Sequence, residues 1–148
     1  MRHATFLVLP ACLALMAGAT GCGDESLTRA EYVQRADAVC KSYNERQEKL
    51  GDPKSLKDIE RLADETTPLA EEQLDKLRDL KAPDEIADDA NAFRDLTAQQ
   101  VSNIDDLVGA AKASDVKRIQ SIVTSASKLD VQADAKAKAI GLKVCGKA

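Results

Sequence analysis

From residue 28 onward, apolar side chains recur every three or four positions in four successive runs, the spacing of helices that each bury one face. Thr28-Arg29-Ala30-Glu31 has the form of a capping box, with Leu27 and Tyr32 placed as its hydrophobic staple. Tyr32, Ala36, Val39, Tyr43 and Leu50 follow on one side, Cys40 falls beside them, and Gly51-Asp52-Pro53 ends the run. Ser55-Leu56-Lys57-Asp58 caps a second run through Ile59, Leu62, Leu69, Leu77 and Leu80. Pro68 lies inside it. Without an N–H, and with a ring that crowds the preceding turn, it predicts either a kink or two collinear helices with Thr67 as the cap between them.

Lys81-Ala82-Pro83 predicts a turn, with Pro83 opening a third helix. Its stripe is Ile86, Ala90, Phe93, Thr97, Gln100, Ile104, Leu107 and Ala111, widened by Val101 and Val108. Ala113-Ser114-Asp115 introduces a fourth run, Val116, Ile119, Val123, Ala126, Leu129, Ala133, Ala137 and Ile140, which ends at Gly141. Lys136, Lys138 and Lys143 complement the negative C-terminal end of that helix. No run alternates with period two, and no Gly-rich phosphate loop or low-complexity tract is present. The expectation is an all-α domain over residues 28–148, an up-down-up-down four-helix bundle roughly 35 to 45 Å long.

The chain upstream of the bundle has another character. Met1-Arg2-His3 is a short basic start, and Thr5 to Ala17 is an apolar run interrupted only by Pro10, the pattern of a secretory signal. It is shorter than the roughly 20 apolar residues a membrane-spanning helix needs. Leu15-Met16-Ala17-Gly18-Ala19-Thr20-Gly21-Cys22 resembles a bacterial lipobox, with Ala19 where lipoboxes most often have Leu. That resemblance implies a diacylglycerol thioether on Cys22 and cleavage after Gly21, which removes residues 1–21 and leaves 22–27 as a short tether. The same residues also fit an ordinary signal cut near Ala19, with Cys22 free or paired. Fully extended, Gly23-Asp24-Glu25-Ser26 would hold the domain within roughly 15 to 20 Å of a bilayer.

Loss of residues 1–21 from a 148-residue chain leaves 127, enough for one domain and one core. Arg2 leaves with them, so 20 basic residues face 25 acidic ones, a net charge of −5 that disfavours nucleic acid and anionic headgroups as partners. His3, Met1 and Met16 leave too, and no His, Met or Trp remains. Haem and di-iron chemistry lack their ligands in such a chain, so no cofactor is expected. With Cys22 acylated, Cys40 and Cys145 are an even pair in an oxidising compartment, where a disulfide is the default. A redox-active pair would need a reactive thiolate and closer spacing. The return of the fourth helix beside the first brings Gly141-Leu142-Lys143-Val144-Cys145 within reach of Cys40.

Three further groups carry candidate chemistry. Asp84, Glu85, Asp88 and Asp89 supply four carboxylates that suit either a hard cation or, as the dipole of a first helical turn favours, a solvated cap. Thr97 and Gln100 interrupt an apolar seam. With Thr66 or Gln73 opposite they suit a small polar pocket or a hydrogen-bonded polar core layer that fixes helix register. Glu71, Glu72 and Asp75 are paired carboxylates of the kind acid and base catalysis uses.

The lipobox, Ala36-Asp37-Ala38-Val39-Cys40, Leu80-Lys81-Ala82-Pro83 and the closing Ile140-Gly141-Leu142-Lys143-Val144-Cys145-Gly146 together resemble a group of small helical lipoproteins of high-G+C Gram-positive bacteria. The resemblance spans nearly the whole mature chain and carries no activity or site residues to transfer. The expected function is a membrane-anchored, extracytoplasmic lipoprotein that binds a protein or small-molecule partner at the cell envelope without catalysis. The alternative is an extracytoplasmic hydrolase acting on envelope material through carboxylates. Replacing Cys22 by Ser is expected to release the protein from membranes or leave an unprocessed precursor, followed by fractionation and mass spectrometry. Recovery of the wild type as a soluble, unacylated chain would overturn the anchor.

Overall fold

The structure, a computed structural model, describes residues 26–146. The expected signal segment and the expected lipidation site Cys22 lie outside the described residues. Four α-helices follow one another: α1 Arg29–Gln47, α2 Leu56–Arg78, α3 Ala87–Lys112 and α4 Val116–Ile140, with a 3-10 turn at Asp84–Ile86. No strand occurs among the described residues. Successive helices run in opposite directions, so the expected up-down-up-down bundle is the observed one.

Each helix start has a local cause. At α1 the Thr28 hydroxyl accepts from the Glu31 N–H at 3.3 Å, and the Thr28 N–H and hydroxyl donate to Glu31 Oε2 at 3.0 and 2.7 Å. Those bonds hold the Glu31 carboxyl below its usual range. Ser55 caps α2 by accepting from the Asp58 N–H, and Asp115 caps α4 by accepting from the Arg118 N–H. Pro68 does not split α2, which runs as one helix from Leu56 to Arg78. Pro83 does not open α3 directly: it caps the 3-10 turn, and the α-helix begins at Ala87. A fixed proline φ suits the turn as well as the helix, and the sequence does not distinguish them.

One end of the bundle holds the start of α1, the end of α2, the start of α3 and the end of α4. Here Tyr32, Ala36, Leu77, Ile86, Phe93, Ala137 and Ile140 form the main core. Two arginines close the helix ends beside it. Arg29 donates to the Ile140 and Ala139 carbonyls at 3.0 and 2.9 Å, and Arg94 donates to the Leu77, Arg78 and Leu80 carbonyls at 3.4, 3.4 and 3.2 Å. Each places a cation on carbonyls that have no partner within their own helix.

α3 packs on α2 and α4, and α2 also packs on α1, but α1 and α4 scarcely touch along their lengths. A strap formed by the C-terminal residues joins them instead. Gly141, with φ 101°, turns the chain out of α4: its N–H donates to the Lys138 carbonyl and the Leu142 N–H to the Ala137 carbonyl. Leu142 then buries against the core. Asp37 of α1 accepts from the N–H groups of Lys143, Val144 and Cys145 at 3.0, 2.8 and 3.4 Å, a carboxylate in a cradle of amides. Cys40 and Cys145 complete the strap as a disulfide, with Sγ atoms 2.04 Å apart.

α1 is also the shortest helix, at 19 residues against 26 in α3. It ends at Gln47, and Leu50 belongs to the connection over residues 48–55. The stripe on α4 is consequently not buried throughout. Val116 and Val123 are 64% and 52% exposed, because α1 stops before it could cover the first turns of α4.

The disulfide closes a loop spanning 105 residues, for which the loss of unfolded-chain entropy stabilises the fold by about 4 to 5 kcal/mol. Replacing both Cys40 and Cys145 by Ala is expected to lower the unfolding free energy, measured by guanidinium titration, by about 4 to 5 kcal/mol and so to lower the midpoint, while the far-ultraviolet spectrum stays helical in the cold. An unchanged midpoint would show that Asp37 and Arg29 suffice to hold the strap.

Candidate functional site

Between the packed end and the open end, all four helices and the strap surround a cleft of about 530 Å3. Its size has a cause in the sequence. Ala70, Ala126 and Ala133 occupy inward positions on α2 and α4 where larger side chains would fill the space. α1 ends beside the cleft, so its last turns form one rim and leave the seam toward α4 open.

Thr97, Gln100, Thr66 and Gln73 all line this cleft. Thr97 is buried and donates to the Phe93 carbonyl of its own helix at 2.9 Å. Gln100 reaches across to α4 and donates from Nε2 to Asp130 Oδ1 at 2.6 Å. Gln73 Nε2 lies 3.5 Å from Cys40 Sγ. Of these three bonds only that from Gln100 to Asp130 joins α3 to another helix, so within this set it is the one that fixes the register of α3, and the rest of the polar lining faces the cleft. The four residues form one wall of a polar pocket.

Other lining residues were not evident as a group. α1 contributes Tyr43, Asn44 and Gln47, and α4 contributes Asp130. Cys40, Asn44 and Gln47 are spaced by four and three residues, so the inward face of α1 turns polar where it meets the cleft, a signal legible in the sequence. Asp130 follows Leu129 and lies just off the apolar stripe, and only the fold brings it opposite Gln100. Burial pushes the Tyr43 phenol up from its ordinary range, so the ring stays neutral at the cleft wall. Phe93, Val101 and Ile104 supply the apolar side. The cleft therefore combines amide and hydroxyl groups with an apolar floor, the composition of small-molecule sites, whose volumes run from about 300 to 1,000 Å3.

The carboxylates singled out for catalysis lie elsewhere. Glu71 and Asp75 are exposed on α2, and Asp75 accepts from Arg78 at 3.3 Å. Glu72 accepts from Lys76 and from Arg46 of α1, each at 2.6 Å. The hydrogen bond from Lys76, then that from Arg46, lowers its carboxyl from 4.5 to about 2, opposite to the rise a general acid needs. Of the four carboxylates at the start of α3 and in the 3-10 turn before it, Asp89 pairs with Lys136 at 2.7 Å, and no group of three or more His, Cys, Asp or Glu among the described residues is placed to hold a metal ion. No helix among the described residues is long and apolar enough to cross a membrane. Comparison with known protein families, curated proteins and solved structures finds no match to this chain.

The paired state of Glu72 has a pH consequence. A carboxyl depressed in the folded state stabilises the fold above its unfolded value of 4.5, and that contribution is lost as pH falls toward about 2. Between those values the wild type is expected to lose more melting temperature than Glu72→Gln, measured by circular dichroism. Parallel curves for the two proteins would remove Glu72 from the acid response.

Proposed function

We propose that the protein is a non-catalytic binding protein, anchored outside the cytoplasmic membrane by lipid on Cys22, that takes a small organic ligand into the cleft between its helices. The observation that carries this reading is the cleft itself, about 530 Å3 and walled by Tyr43, Gln73, Thr97, Gln100 and Asp130 over an apolar floor. A bundle with only a structural role gains by filling such space, since an unfilled interior forfeits dispersion contacts. The lipobox supports the anchor, and the order of the elements suits it. The tether meets α1 at the packed end, while Tyr43 lies fifteen residues beyond Thr28, about 22 Å along the helix. With the anchor on Cys22, this offset would set the cleft on the side away from the bilayer.

Purified full-length protein, equilibrated with a small-molecule extract of the organism's own envelope, is expected to retain at least one compound that mass spectrometry identifies after denaturation. Ala126→Trp, which places an indole in the cleft from a half-buried position, should retain none of it. Equal recovery from both proteins would overturn the reading.

A further inference from the structure

The charges around the cleft are one-sided. Among the described residues, Asp130 and Glu48 are the only carboxylates that line it, and no lysine or arginine does. Asp130 Oδ1 takes the Gln100 amide, while Oδ2 takes no hydrogen bond from the described residues. Gln100 thereby orients a carboxylate whose second oxygen remains available at the cleft wall. Lys136, one helical turn and a half beyond Asp130 on α4, is engaged with Asp89 toward the packed end.

Aromatic side chains are scarce, and their placement adds a second observation. Beyond residue 26 the chain has three, Tyr32, Tyr43 and Phe93, and two of them line the cleft. An aromatic face attracts a cation through its quadrupole, and the attraction strengthens when water is excluded. Cys40 and Cys145 also reach the wall, but as a disulfide, so no thiol there offers covalent attachment.

We infer that the ligand is an organic cation, an ammonium group on a small apolar body, with Asp130 as its counter-ion and Tyr43 and Phe93 beside it. This rests on the reading of the cleft as a ligand site. An anion of the same shape would meet a carboxylate with no compensating cation among the described lining residues, and would leave its own solvation unreplaced. A neutral molecule would use the amides and hydroxyls of Gln73 and Thr97 and can donate a hydroxyl to the second oxygen of Asp130, but it leaves the carboxylate charge without a counter-ion. The cation adds that charge pairing, and the attraction of the aromatic faces, to the same contacts.

The test uses three probes of one shape, phenylbutylamine, phenylbutanol and phenylbutyrate, titrated into the purified full-length protein by calorimetry. The amine is expected to bind about tenfold more tightly than the alcohol, and phenylbutyrate most weakly. Asp130→Asn keeps an oxygen for Gln100, so it should reduce the amine to the level of the alcohol. Ala126→Trp should weaken all three, with its fold checked by melting. Phenylbutyrate binding as well as the amine, or an amine advantage that survives Asp130→Asn, overturns the inference and leaves the cleft reading intact. Amine binding that is unchanged in Ala126→Trp reports attraction to the acidic surface and overturns it too. If none of the three probes binds the wild type, the cleft reading falls with it.

Discussion

The first and last helices of this bundle are held together by a strap rather than by packed faces, and most of the architecture follows from that. A four-helix bundle normally closes when helices one and four bury apolar stripes against each other. Here α1 packs on α2, α4 packs on α3, and the seam between them is bridged by Arg29 on the last carbonyls of α4, Asp37 on the amides of residues 143–145 and the bond from Cys40 to Cys145. These are directional contacts spread over roughly the first three turns of α1 and confined to the end of α4 and the residues after it. They hold the ends of α1 and α4 in place without requiring the helices to meet below.

The cleft exists because nothing below the strap closes the seam. Above it, Tyr32, Leu77, Phe93 and Ile140 fill the interior; beyond it, Leu62 and Ala63 of α2 and Ala110 and Ala111 of α3 are buried. In between, alanines on α2 and α4 face polar residues of α1 and α3, and α1 runs out. The ion pairs of the bundle lie outside this region. Arg46 with Glu72, Arg118 with Asp106 and Lys136 with Asp89 join neighbouring helices at half-exposed positions, where such pairs contribute little to stability and serve to orient the helices they join. Asp130, held by an amide rather than by a cation, is the exception.

Much of the helix architecture was legible in the sequence because its causes are local. The capping box at Thr28, the serine cap of α2, the aspartate cap of α4 and the glycine that ends it each act within one helical turn. Thr97 and Gln100 stood out because they break an apolar period, a property of the string of residues alone. The exceptions are instructive. Pro83 satisfies a 3-10 turn and an α-helix start equally, and Pro68 leaves one helix unbroken because α2 keeps its partners on both sides of the missing N–H.

What the sequence determined by itself, then, is the run of helical segments and their order, since spacing and capping are carried by near neighbours; it offered Cys40 and Cys145 as a pair only with Cys22 acylated, and the fold is what brings the two together. Only the tertiary structure decided which polar residues share a space. Asp130 meets Gln100 across 30 positions and Asp37 meets Val144 across 107, distances over which no periodicity persists. Val116 and Val123 show the same limit from the other side. Their spacing promised burial, but burial needs a neighbour, and whether α1 is long enough to be that neighbour is a property of two helices together.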